Sequence, residues 1–196
     1  MKKILIGLIY FIFIISLSAC VESGPEETIK LFLNTFINNG LFSTNEYVVI
    51  KYEPSQDAKN LKDELNNDIF MFFRLTYEIG KVKIEGDIAT VEVSITQINN
   101  AKIIKSILDE TSSSLSLLSE LPEDMSLTEY TFELYKERYN SPDAEILSSD
   151  VAVILKKING SWLIDDLENV NASFFNSISG GTYASGNKYQ KIFVNI

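Results

Sequence analysis

Histidine is missing from the 196-residue chain, and cysteine occurs once. The first absence removes the commonest general base, the commonest metal ligand and every Ser–His or Cys–His nucleophile pair. The second excludes disulfides within the chain, so a hydrophobic core has to hold the fold. Together they leave zinc without its usual ligands. Positive charge is also scarce: 17 Lys and Arg stand against 27 Asp and Glu, a net charge of −10. Nucleic acid and anionic lipid surfaces both require a basic patch that displaces counterions, so neither is expected as a partner. There is no internal repeat, and Gly180-Gly181 reads as a turn without a phosphate-loop continuation. The chain is too short for a two-lobed solute receptor. What it does have is aromatic weight, nine Tyr and twelve Phe, enough for the core of one ordinary domain.

The long apolar run lies between Ile4 and Ala19, broken only by Ser16 and Ser18 and preceded by Lys2 and Lys3. A basic start, an apolar stretch and small residues at its end are the order of a secretory signal. The run closes on Leu17-Ser18-Ala19-Cys20, which resembles the lipobox of bacterial lipoproteins. That resemblance implies diacylglycerol on the Cys20 thiol, cleavage just before it, and acyl chains such as palmitate as the anchor. It divides the chain into a signal peptide over 1–19, a short tether over 20–24 and one domain over 25–196. The expected location is the extracytoplasmic face of the cell membrane, with membrane lipid as the first partner. Two acyl chains anchor stably where one is marginal, and acylation accounts for the odd thiol. The alternative is an uncleaved membrane helix, for which the run is on the short side of roughly 17–25 residues. Loss of 1–19 takes Lys2 and Lys3 away and moves the net charge to −12.

Beyond the tether, Ser23-Gly24-Pro25-Glu26 matches a capping box with proline near the first helical position. Ile29, Phe32, Leu33, Phe36 and Ile37 follow at helical spacing, and Gly40 ends the run. Tyr47-Val48-Val49-Ile50 suits helix or strand. A second helix is expected over 57–74, with Ala58, Leu61, Leu65, Ile69 and Phe72 or Phe73 on one stripe. The period then changes to two. Lys81 to Ile84 and Ala89 to Ile95 flank Glu85-Gly86-Asp87, an antiparallel hairpin with one buried face. Helical sequence resumes over 101–118, breaks at Leu121-Pro122 and returns over 126–139. A second hairpin has Val151, Val153 and Leu155 on one arm, Asn159-Gly160 as its turn and Ser161 to Asp165 on the other. A small helix over 169–179 stops at Gly180-Gly181, and Ile192, Val194 and Ile196 suggest an edge strand.

Three stretches, Pro25 to Phe32, Val82 to Val93 and Val153 to Asp165, give the chain an order that resembles small exported lipoproteins with an NTF2-like (cystatin-like) α+β domain of unknown function. The resemblance implies N-terminal helices packed on a curved antiparallel sheet that encloses a cavity. The departure from it is a helical insertion between the hairpins, about 100–148, placed where it would cap or fill that cavity.

Carboxylates are the remaining reactive groups. Asp165-Asp166-Leu167-Glu168 is the densest cluster. It reads either as oxygen ligands for a hard cation or as a solvated strand end, and the second is favoured because no Asp-x-Asp-x-Asp-Gly loop accompanies it. Asp63, Glu64 and Asp68 read as a solvated helix face. The family resemblance adds an enzymatic alternative, an isomerase or hydrolase that uses one buried carboxylate in the cavity with a tyrosine donor. Tyr77, Tyr130 and Tyr135 are present, but no spacing pairs one with an acid. Phe32, Phe36, Phe70, Phe73 and Trp162, with Phe72, would line a cavity for a small apolar ligand, although at this spacing the default is core. Asn171-Ala172-Ser173 matches a glycosylation sequon and carries no weight in a bacterial lipoprotein. The expectation is therefore a membrane-anchored, non-catalytic domain that binds an envelope protein or a small apolar ligand, with no cofactor or metal.

Overall fold

The structure, a computed structural model, describes residues 23–50, 74–113, 125–166 and 170–183. Several expectations lie outside them: the segment 1–19 and Cys20, the helix over 57–74 up to Arg74 with Phe70, Phe72 and Phe73, Asp63, Glu64 and Asp68, the end of the helical stretch 101–118 with the break at Leu121-Pro122, Leu167 and Glu168, and the strand ending at Ile196.

Helix α1 spans Pro25–Asn39. Its N-cap is Gly24, with no side-chain cap hydrogen bond, and Pro25 takes the first helical position. The capping box expected of Ser23 does not form: the N-cap falls one residue later, on Gly24, which has no side chain to accept a bond, and Pro25 takes N1, where its missing N–H costs no helical hydrogen bond. The apolar stripe is as expected: Ile29, Phe32, Leu33 and Phe36 are buried, and Ile37 packs at the margin. Gly40 ends the helix at φ 77°, with its N–H bonded to the Phe36 carbonyl at 2.9 Å.

Four antiparallel strands follow in the order β1–β2–β3–β4: Thr76–Glu85, Ile88–Ile98, Ile146–Ile158 and Ser161–Ile164. The first hairpin is longer than its alternation suggested, and a bulge is the reason. Ile79 pairs with Val93 and Val82 with Val91, so β1 carries one extra residue there. A strict period of two would send Ile79 and Val82 to opposite faces; the bulge keeps both on the face of buried Val91 and Val93. The second hairpin turns through Asn159 and Gly160, both at positive φ (51° and 88°), as the Asn-Gly pair requires. Tyr47 to Ile50 resolves as neither of its alternatives. Val48 forms a single parallel bridge to Ile164.

The α+β architecture is therefore helix on sheet. Helix α1 and the short α4 (Ala172–Ile178) cover one face, with Ala89, Val91, Val93, Ile95, Val153, Leu155 and Ile164 beneath them. The opposite face carries Thr90, Glu92, Ser94 and Thr96, and Ser94 bonds Asp150 at 2.6 Å. Between β2 and β3 the chain leaves the sheet for α2 (Asn100–Ser113) and α3 (Leu127–Asn140), the insertion expected over about 100–148. These helices build a separate small core from Ile98, Ile103, Ile107 and Tyr139. Helix α3 opens with a complete capping box, Glu129 N–H to Ser126 Oγ at 3.1 Å and Ser126 N–H to Glu129 Oε2 at 2.7 Å.

Candidate functional site

The two hairpin turns lie at one end of the sheet and the insertion at the other. The Asp87 carbonyl accepts from the Lys157 amide at 2.8 Å, so the β1–β2 turn flanks the end of β3. Helix α1 starts at this same pole. Thr28 Oγ donates to the Gly24 carbonyl at 3.2 Å and approaches the Trp162 carbonyl at 3.3 Å, joining the first turn of α1 to β4.

Between them lies a cleft of about 160 Å³ whose lining includes Ser23, Thr28, Glu46, Tyr47, Ser161 and Trp162. Its lining mixes hydroxyls with one indole. The Tyr47 phenol is pushed above its ordinary pKa, first by a hydrogen bond with the Glu46 carboxylate and then by burial. The Lys157 ammonium lies 5.9 Å from the centre of the Trp162 ring, within cation–π range. A cleft of this size holds water or one small group, well under the roughly 300–1,000 Å³ of drug-sized ligand sites.

Of the aromatics considered as cavity lining, Trp162 borders this cleft and is 8% exposed. Phe32 and Phe36 are core. Their rings stack at 6.2 Å, and Phe32 meets Phe174 at 5.6 Å and Phe175 at 6.3 Å. Phe70 and Phe73 lie outside the described residues.

The acidic cluster corrects an expectation. Asp165 is no solvated strand end: it is 2% exposed and its carboxylate meets Lys156 Nζ at 2.8 Å. Asp166 Oδ1 accepts from the Ile50 amide at 2.8 Å. The backbone beside Asp165 is held by Asn171, the residue of the glycosylation sequon. The Asn171 amide donates to the Ile154 carbonyl at 2.8 Å and to the Asp165 carbonyl at 2.6 Å, and its oxygen accepts from the Ile154 amide at 2.8 Å. It thus replaces a strand partner for β3 where β4 has ended, and it fixes the turn into α4. No sequence periodicity signals this role, because the groups it satisfies are backbone.

The tyrosines go to structural partners. Tyr77 Oη donates to Asn34 Oδ1 at 3.0 Å, joining β1 to α1. Tyr135 Oη donates to Asn100 Oδ1 at 2.9 Å, and burial holds that phenol far above its ordinary pKa. The Asn100 amide donates in turn to the Ser179 carbonyl at 3.2 Å, so the neck of the insertion is tied to the end of α4. Tyr139 accepts the Arg74 amide, and the Arg74 guanidinium lies 5.8 Å from its ring centre.

No protein-family model and no curated protein matches this chain. Among solved structures it is similar to YcdA, a candidate lipoprotein of Bacillus subtilis, with 17% identity and a TM-score of 0.40. The match covers 78% of this chain and 44% of that one, so this chain spans less than half of that protein's length. At this identity and TM-score, fold and function rest on the chain's own residues.

Proposed function

We propose that the chain is an exported bacterial lipoprotein held at the extracytoplasmic face of the membrane by acylated Cys20. Its α+β domain, of NTF2-like type, serves as a non-catalytic binding module. The observation that carries the anchor is the order Lys2-Lys3, apolar run, Leu17-Ser18-Ala19-Cys20. The helix that opens at Pro25 supports it by leaving only a short tether. Among the described residues no helix is long and apolar enough to cross a membrane. The fold assignment is supported by α1 lying across one face of an antiparallel sheet whose two hairpins are separated by an insertion.

The non-catalytic reading is supported by where the reactive groups went. The buried carboxylate of Asp165 is engaged by Lys156 rather than aimed into a cavity, and the phenols of Tyr77 and Tyr135 are spent on Asn34 and Asn100. The binding surface would then be presented by the domain's exterior, facing an envelope protein or a small apolar ligand.

Intact mass of the protein made in an acylating bacterial host tests the anchor. The expected species starts at Cys20 and carries acyl mass, and Cys20→Ala releases the domain from the membrane fraction. A full-length, unmodified membrane species overturns the reading. Crosslinking on intact cells then identifies what the exterior contacts.

A further inference from the structure

Three of the large apolar side chains that the described residues leave bare sit at the pole where α1 begins, while Ile146 at the opposite end of the sheet (61% exposed) and Leu127 on α3 (45%) are bare as well. Ile84 is 54% exposed, Ile88 48% and Ile158 37%. Ile84 and Ile88 flank the Gly86-Asp87 turn. Ile84 pairs with Ala89 and so belongs to the core-side face, while Ile88 pairs with Lys156 on the other face. Ile158, two residues beyond Lys156, shares that second face. The isoleucines therefore straddle the hairpin tips rather than form a flat patch on one side. Singly exposed apolar groups are ordinary on a protein surface; what sets these three apart is their position relative to Cys20.

Ser23 lines the cleft with Gly160 and Ser161, so the chain enters at this pole. Cys20 is three residues earlier, and three residues of chain reach at most roughly 10 Å. If acyl chains hold Cys20 in the bilayer, these hairpin tips cannot be far from the headgroups. Charge at the pole is balanced locally: Lys83 pairs with Glu85 at 2.8 Å and Lys30 with Glu26 at 2.7 Å. Among the described residues these pairs put both signs side by side at the pole, and the apolar side chains are what a bilayer would take up.

We propose that this pole is a second membrane contact: Ile84, Ile88 and Ile158 enter the interfacial region of a zwitterionic bilayer and fix the domain's orientation on its lipid anchor. The proposal rests on the lipoprotein reading. Its depth is that of interfacial apolar groups, roughly 5–10 Å below the headgroup boundary. The α2–α3 insertion, attached at the opposite ends of β2 and β3, then points away from the membrane.

The test uses the acylated mature product, which starts at Cys20, in phosphatidylcholine vesicles with and without brominated acyl chains. Ile84→Trp, Ile88→Trp and Ile146→Trp are compared with the parent, which contains Trp162 alone. Ile146 is 61% exposed at the far end of β3 and serves as the distal control. The expected result is added quenching and a blue-shifted emission at positions 84 and 88, and neither at 146. Vesicle retention with equal, weak quenching at all three positions overturns this proposal and leaves the anchor standing. Retention with a concentration-dependent dimer that buries 84 and 88 assigns the pole to a second copy and also overturns it. Product that lacks acyl mass and fails to sediment with vesicles overturns the anchor itself, and this proposal with it.

Discussion

Asn171 spends its amide on the backbone of β3 and of the segment after β4. Three bonds of 2.6 to 2.8 Å, at a side chain 1% exposed, leave no room for the glycan that its sequon might suggest. Removing the amide strands Ile154 N–H and Asp165 C=O in a buried place, while Ile154 C=O keeps the Asp165 amide at 2.9 Å. Asn171→Ala should cost about 2–4 kcal/mol, since each unsatisfied buried group costs about 1–3 kcal/mol and water recovers part. Urea unfolding checks this, and a change within error would sink the assignment. Gly180 is a second such residue. It and Gly181 close α4 with Gly181 N–H on the Asn176 carbonyl at 2.9 Å and Gly180 N–H on the Ser177 carbonyl at 3.2 Å, the two bonds of a Schellman end. Gly180 has φ 65°, and a Cβ there would lie 2.3 Å from the Ile98 carbonyl oxygen. Gly180→Ala should therefore lower stability by more than the about 1 kcal/mol of left-handed strain alone, read as a fall in the urea midpoint. An unchanged midpoint would show that the neck of the insertion yields freely.

Elements were legible wherever local chemistry and tertiary packing agreed. Helix α1 has its stripe and its closing glycine in register, and the second hairpin has Asn-Gly between alternating strands. The first hairpin is longer than its alternation predicts because Gly80 and the polar residues around it break the period of two, and only pairing with β2 shows that one residue is bulged out. Tyr47 to Ile50 was ambiguous for a related reason: four apolar residues fit either state until Ile164 offers a bridge. Helix α3 permits a direct electrostatic test of an element boundary. The Glu129 carboxylate is held below its ordinary pKa by the Ser126 amide first and the Ser126 hydroxyl second. Because the folded value is depressed, the contribution is present above the unfolded pKa and is lost as pH falls through the folded one. Carbon-13 NMR titration should find Glu129 titrating below a typical glutamate, and Ser126→Ala should move it upward. An Ser126→Ala variant with an unshifted Glu129 would contradict the capping box.

At the scale of the molecule, two cores of unequal size share one chain. The sheet core joins α1, β1–β4 and α4, whereas the insertion relies on Ile98, Ile103, Ile107 and Tyr139 with Leu134, Tyr135 and Ala144 at its edge. Fewer buried apolar contacts mean a lower opening free energy. Native-state hydrogen exchange should therefore show amides of α2 and α3 exchanging well before those of β2 and β3. Equal protection throughout would mean that the insertion unfolds only with the whole domain. The same asymmetry orders the molecule along its length, with the start of α1 and both turns at one pole and the smaller core at the other.

The sequence by itself determined the properties that depend on residue type and near neighbours. The lack of imidazole narrows the chemistry, the lipobox pattern proposes the anchor, and the periodicities give α1, both hairpins and the insertion. Tertiary structure decided what depends on residues distant in the chain: that Asp165 is buried against Lys156, that Asn171 replaces a missing strand, that Phe32 and Phe36 are core, and that the Asn159-Gly160 turn meets the start of α1. The division has a physical basis. Helix caps, turns and amphipathic faces are local free energies written within a few residues. Burial of a carboxylate, or the meeting of two turns at one pole, is fixed by which strands pair, and that is settled only when the sheet closes under its helices.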